Sequence, residues 1–190
     1  LRMHEIKGTV GTKERGLSLH ACPKRGKRSM KAPKTYAEHE LEVVCAALYT
    51  VPSVRELRTL ELCGLTANAM NHLTPVLERV SWHLIQTLRL NRLSPEAMGF
   101  VAEVLSWASS DRRHELRSLT VSACRFASTD GPIDFIRGVS RTVTDLSLID
   151  NQMNNSTMDV LASRMEDASD WSLRSLRVSD KQLTGRALES

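Results

Sequence analysis

The sequence predicts an α/β fold: a short stacked solenoid of about five strand–helix units, with a parallel sheet on one side and helices on the other. Three observations predict it. A Leu-x-Leu or Leu-x-Val pair returns at Leu60/Leu62, Leu88/Leu90, Leu119/Val121, Leu146/Leu148 and Leu176/Val178, in steps of 28, 31, 27 and 30 residues. Self-similarity at a nearly fixed period marks an array, because one such unit alone cannot bury its apolar face. The intervals between pairs carry apolar residues at helical spacing. The composition is 41% hydrophobic but only 4% aromatic, so the core must be an aliphatic ladder.

Three segments follow along the chain. Residues 1–34 mix Gly8, Gly11, Gly16, Gly26, Pro23 and Pro33 with many bases and show no apolar period, which predicts an extended basic arm. Residues 35–53 predict an N-terminal capping helix. Thr35-Tyr36-Ala37-Glu38 has the capping-box form, Leu41, Val44, Cys45 and Leu48 share one helical face, and Pro52 lies beyond its end. Its expected role is to close the open end of the first repeat.

Residues 54–190 form the repeat domain. Its first strand is Leu57-x-x-Leu60-x-Leu62, followed by a helix over 66–80 with Ala69, Met70, Leu73, Val76, Leu77 and Val80 inward. Pro75 should kink that helix or mark a late start. Residues 84–90 give the second strand. In the next helix Ser94 is the expected N-cap, Pro95 lies in the first turn, and Met98, Val101, Ala102 and Leu105 face the core. An irregular connection is expected over 106–115. The third strand contains Leu119 and Val121, and a shorter helix over 129–140 carries Ile133, Ile136 and Val139. The fourth unit has Val143, Leu146 and Leu148, then a helix offering Met158, Val160, Leu161 and Met165. The fifth strand carries Leu173, Leu176 and Val178, and its edge at Val178 and Leu183 is expected to stay open unless a partner covers it. Trp82 and Trp171 stand six and five residues before their apolar pairs, so the helix-to-strand joint repeats too.

These units resemble leucine-rich repeats of the ribonuclease-inhibitor-like type, whose form is L-x-x-L-x-L-x-x-(N/C)-x-L followed by a full helix. In the fourth unit Val143 takes the first position and residues 146–153 fill the rest, with Asn151 in the polar slot. Cys124 fills that slot in the third unit and Lys181 in the fifth. Leu65 and Leu93 occupy it in the first two, so their strand-to-helix turns are expected to be built differently. The resemblance covers residues 54–188. It implies a curved sheet whose concave face presents the residues that alternate with the inward leucines. Among these, Glu61, Arg89, Asn91, Asp145, Ile149 and Arg177 are the candidate protein-binding residues. The face is otherwise mostly Ser and Thr and has no aromatic anchor, so contact through the helices, the ends or the arm is expected ahead of the concave mode.

Charge divides the chain sharply. Residues 1–34 hold ten Lys/Arg and two acids; the other 156 hold sixteen and twenty, so about +8 faces about −4. The densest basic run is Lys24, Arg25, Lys27, Arg28, Lys31 and Lys34, with Lys13 and Arg15 upstream. Clustered cations on a chain that can follow a groove suit a phosphate backbone, and these eight are the candidate RNA or polyanion contacts; an acidic protein surface, a nuclear-localisation signal and a solvated tail are the alternatives. Without an aromatic before Tyr36, backbone contact rather than base stacking is expected.

Catalytic and metal chemistry have little to stand on. The histidines show no H-E-x-x-H spacing, and there is no P-loop, G-x-S-x-G or G-x-G-x-x-G. No cofactor or small-molecule substrate is expected. Cys22, Cys45, Cys63 and Cys124 form no C-x-x-C pair, which favours reduced thiols in a reducing intracellular compartment. Asn154 and Asn155 each open a glycosylation sequon, which those cues argue is coincidental. No apolar run is long enough to span a membrane. The chain begins at Leu1, which would fit a cleaved presequence.

The expected function is a non-enzymatic scaffold subunit of a large assembly. Its repeats would meet protein neighbours and its arm rRNA. Long basic extensions on a small body resemble ribosomal proteins in layout, mitochondrial ones above all, and so point to that organelle. The alternatives are a substrate adaptor of a ubiquitin ligase, a GTPase activator resembling the Ran type, and an axonemal scaffold.

Overall fold

The computed structural model describes residues 16–20, 45–46, 49–50, 52–109, 115–167, 171–181 and 183. Within them a six-stranded sheet runs β1 (Gly16–His20), β2 (Thr59–Cys63), β3 (Thr87–Asn91), β4 (Ser118–Ser122), β5 (Asp145–Ile149) and β6 (Ser175–Ser179), in that spatial order. Every neighbouring pair is parallel. Helices α1 (Ala67–Leu77), α2 (Pro95–Ser109), α3 (Gly131–Gly138) and α4 (Asn155–Asp167) alternate with β2 to β6 and pack side by side as a second layer. Parallel strands need such crossovers, and short strand–helix units stack in sequence order because each buries its apolar face on the next.

The register carries the repeat directly. Leu60, Leu88, Leu119, Leu146 and Leu176 form one row, and Leu62, Leu90, Val121, Leu148 and Val178 the next. The first row is all leucine, whereas the second mixes leucine with valine. All of these side chains except Leu176 and Val178 are buried. Leu57, Val54, Ile85, Leu116 and Val143 extend the core below the strands, and Leu73, Leu77, Met98, Val101, Leu105, Ile136 and Leu161 close it from the helices.

Helix starts follow the capping chemistry. Thr66 accepts from the Ala69 amide and Ser94 from the Ala97 amide, each at 3.4 Å, and Asn154 Oδ1 accepts from the Thr157 amide and hydroxyl at 2.9 and 3.0 Å. The first asparagine of the double sequon is therefore a helix cap. α1 begins at Ala67, so Pro75 marks no late start, and the helix continues past it to Leu77.

Five expectations need correction. Residues 16–20, placed by the sequence in an irregular arm, form β1, which aligns Leu17 with Leu60 and Leu19 with Leu62. A period-two Leu-x-Leu outweighs the surrounding Gly and charge once a strand edge is there to pair with. Helical residues 45–46 and 49–50 therefore fall between two strands of the sheet, in the crossover rather than at an open end. Cys45 lies in the core and Tyr49 stacks under the Arg79 guanidinium at 4.6 Å. The irregular connection over 106–115 is shorter than expected, since α2 runs to Ser109. In α3, Phe135 joins Ile136 in the core while Ile133 is only half-buried, and in α4 Met165 is exposed because no described helix lies beyond it.

The turns after the strands also differ from expectation. Gly64, Arg92, Ala123 and Asp150, each one residue past its strand, all adopt left-handed φ of 69°, 53°, 51° and 52°. Their amides reach across to the last carbonyl of the next strand, at Asn91, Ser122, Ile149 and Ser179, over 2.7–2.9 Å. One backbone turn thus serves all four rungs, and Leu65 and Leu93 do not alter it. The slot changes only its side chain. Leu65, Leu93 and Cys124 fill it with apolar volume, whereas Asn151 accepts from the Cys124 amide at 3.1 Å and donates to the Val121 carbonyl at 2.8 Å.

Candidate functional site

The face of the sheet away from the helices collects the six candidate protein-binding residues in three rows. Thr59, Thr87, Ser118, Asp145 and Ser175 align nearest the strand starts; Glu61, Arg89, Thr120, Ser147 and Arg177 lie in the middle; Cys63, Asn91, Ser122, Ile149 and Ser179 lie nearest the strand ends. Arg89, Asp145 and Arg177 are exposed, whereas Glu61, Asn91 and Ile149 are half-buried. Arg89 and Arg177 stand three strands apart, about 14 Å at the usual spacing. Between them lie small hydroxyl side chains. Among the described residues this face offers hydrogen bonds and two separated cations, but no aromatic side chain to anchor a partner.

The second candidate set, Lys13, Arg15, Lys24, Arg25, Lys27, Arg28, Lys31 and Lys34, lies outside the described residues. The topology still constrains it. Arg15 immediately precedes β1, and Lys24 follows His20 by four residues, a reach of at most about 14 Å.

Cysteine chemistry is subdued where it is described. Cys45, Cys63 and Cys124 are buried free thiols. Desolvation pushes Cys45 and Cys124 up to about 11, so both are protonated at neutral pH. Among the described residues no group of three His, Cys, Asp or Glu side chains is placed to hold a metal ion. No described helix is long and apolar enough to cross a membrane. Asp111, Arg112, Arg113 and His114 lie outside the described residues.

The sequence reading missed two polar constructions. The Arg164 guanidinium donates to the Ile136 and Val139 carbonyls at the end of α3 and lies 5.2 Å from the Trp171 ring. Burial lowers its pKa from the usual arginine value, with the nearby Arg141 charge adding to the effect. Glu115 accepts from Arg58 at 2.7 Å and from Gln86 at 2.9 Å, tying together the residues before β2, β3 and β4. A signal existed for the second: Arg58, Gln86 and Arg117 each directly precede a strand and so share a rim. Comparison with known proteins finds no family whose pattern matches this chain and no characterised protein of matching sequence.

Proposed function

We propose that this chain is a non-enzymatic structural subunit of a ribonucleoprotein assembly, with repeats of the leucine-rich type meeting protein neighbours and the basic segment contacting RNA. The observation that carries the reading is the segregation of charge: ten of the twenty-six Lys/Arg fall in the first 34 residues, against two acids. A cationic segment beside a body of net negative charge suits a polyanion that only part of the protein touches. The layout is that of ribosomal proteins with long extensions, and the mitochondrial ribosome is the assembly this reading favours.

The end of the array supports the protein-binding half. Leu176 is 39% exposed, and β6 has no strand on its outer side among the described residues. An edge of this kind is a surface that a neighbour can cover.

The experiment must spare β1, because deleting residues 1–34 would remove a strand. Replacing Lys24, Arg25, Lys27, Arg28, Lys31 and Lys34 by glutamine changes no residue of β1. The expected result is loss of co-sedimentation with ribosomal particles at about 150 mM salt. On single-stranded RNA the variant should show a salt slope smaller by about 4, from roughly 0.7 per lost phosphate contact. Undiminished co-sedimentation and an unchanged slope would reject the role of the segment.

A further inference from the structure

The residue before each strand from β2 onward forms a row along one rim of the sheet: Arg58, Gln86, Arg117, Thr144 and Arg174. Backbone bonds lace it rung by rung. The amides of Gln86 and Thr87 donate to the Arg58 carbonyl, those of Arg117 and Ser118 to Gln86, those of Thr144 and Asp145 to Arg117, and those of Arg174 and Ser175 to Thr144, all at 2.7–3.0 Å. The spacing along the row is thereby held at one strand separation, about 4.8 Å.

Toward β6 this rim becomes cationic. Arg117, Arg141 and Arg174 are exposed on three successive rungs, and Arg177 is exposed on the adjoining open face. Arg58 is committed to Glu115 and the Leu84 carbonyl, but Arg117 uses one donor of its fork, on the Thr142 carbonyl at 3.3 Å. Beside the row, Asp145 at the start of β5 is an exposed acid bonded by the Thr144 hydroxyl, and Glu56, Glu166 and Asp167 are exposed before β2 and at the end of α4. The opposite rim has the other balance, with Glu96, Asp130, Asp150 and Asp180 against Arg92, Arg125 and Lys181.

The type of cation is also informative. In residues 54–190 every Lys or Arg except Lys181 is arginine, whereas residues 1–34 contain six lysines. Arginine presents a planar fork of donors that matches phosphate oxygens, and lysine a point charge.

We propose that Arg117, Arg141, Arg174 and Arg177 form a phosphate-binding rim on which the repeat body holds an RNA backbone. The inference rests on the RNA reading above and adds a second, rigid contact surface to it. The backbone lacing holds Arg117 and Arg174 two strand separations apart, while residues 24–34 supply charge density.

The test uses the full chain, a labelled 30-nucleotide oligouridylate and KCl from 50 to 300 mM, with melting curves to check folding. Changing all four arginines to glutamine should reduce the salt slope by about 3 and weaken binding at least roughly tenfold at 100 mM. The pair Arg174→Gln and Arg177→Gln, both at exposed positions, should reduce the slope by about 1.4, which keeps the test valid if the quadruple variant unfolds. Four lysines in place of the arginines should retain the slope. A wild-type slope in the folded glutamine variants overturns the rim and leaves the arm to its own substitutions. Failure of the wild-type chain to bind the RNA, with binding to polyglutamate instead, overturns both readings in favour of an acidic protein partner.

Discussion

The strands β4 and β6 carry the same motif in the same register, yet Leu119 is 0% exposed and Leu176 39%. Neither side chain differs in chemistry or in its place along the strand. The difference lies in their neighbours: β4 has strands on both sides and a helix behind it, whereas β6 has a described strand on one side alone. Burial in a stacked array comes from the adjoining rung, so a repeated sequence gives unequal stability along its length.

Substitutions can break that comparison. Leu119→Ala should cost about 3 kcal/mol in urea unfolding, the usual loss for a fully buried leucine. Leu176→Ala should cost below about 1 kcal/mol, because less apolar surface leaves water there. Equal losses would mean that β6 is covered in solution. Asn151→Ala should cost about 2 kcal/mol, since it orphans the buried Cys124 amide and Val121 carbonyl. Arg164→Lys should cost about 1 kcal/mol, because a single ammonium cannot reproduce a fork that spans two carbonyls and a ring. Glu115→Gln should shift stability by only about 0.5 kcal/mol, since Arg58 and Glu115 are each more than a third exposed.

The thiols sharpen it by pH. A thiol raised in the folded state favours folding below its unfolded value, and that contribution is lost as pH rises through the folded value. Stability should therefore be insensitive to the titration of Cys45 and Cys124 at pH 7 and decline from about 9 through 11. Replacing both by alanine should flatten that decline, read from urea midpoints across the same range.

The regular part of this fold was legible because its cause is periodic. Leucines that alternate along each strand, and Thr66 or Ser94 at a helix start, report local geometry that sequence spacing encodes. Leu17 and Leu19 were not recognised, since Leu17 stands 43 residues before Leu60, outside the period, and sits among glycines and bases. The turn at Arg92 was hidden for another reason. Gly64 advertises a left-handed residue, but Arg92 and Ala123 adopt the same conformation under constraint from the next strand. The exposure of Leu176 depends on what stands beside it, which no spacing records. The open face was legible as a set of residues, but the arginine rim was not, because its members are dispersed along the chain and meet only through register.

The Glu115 staple has a mechanical consequence. Among the described residues most contacts join adjacent rungs, so tension would strip units one after another from an edge of the sheet. Arg58, Gln86 and Glu115 join three rungs at once, so the rung of β4 cannot leave without also breaking two side-chain bonds.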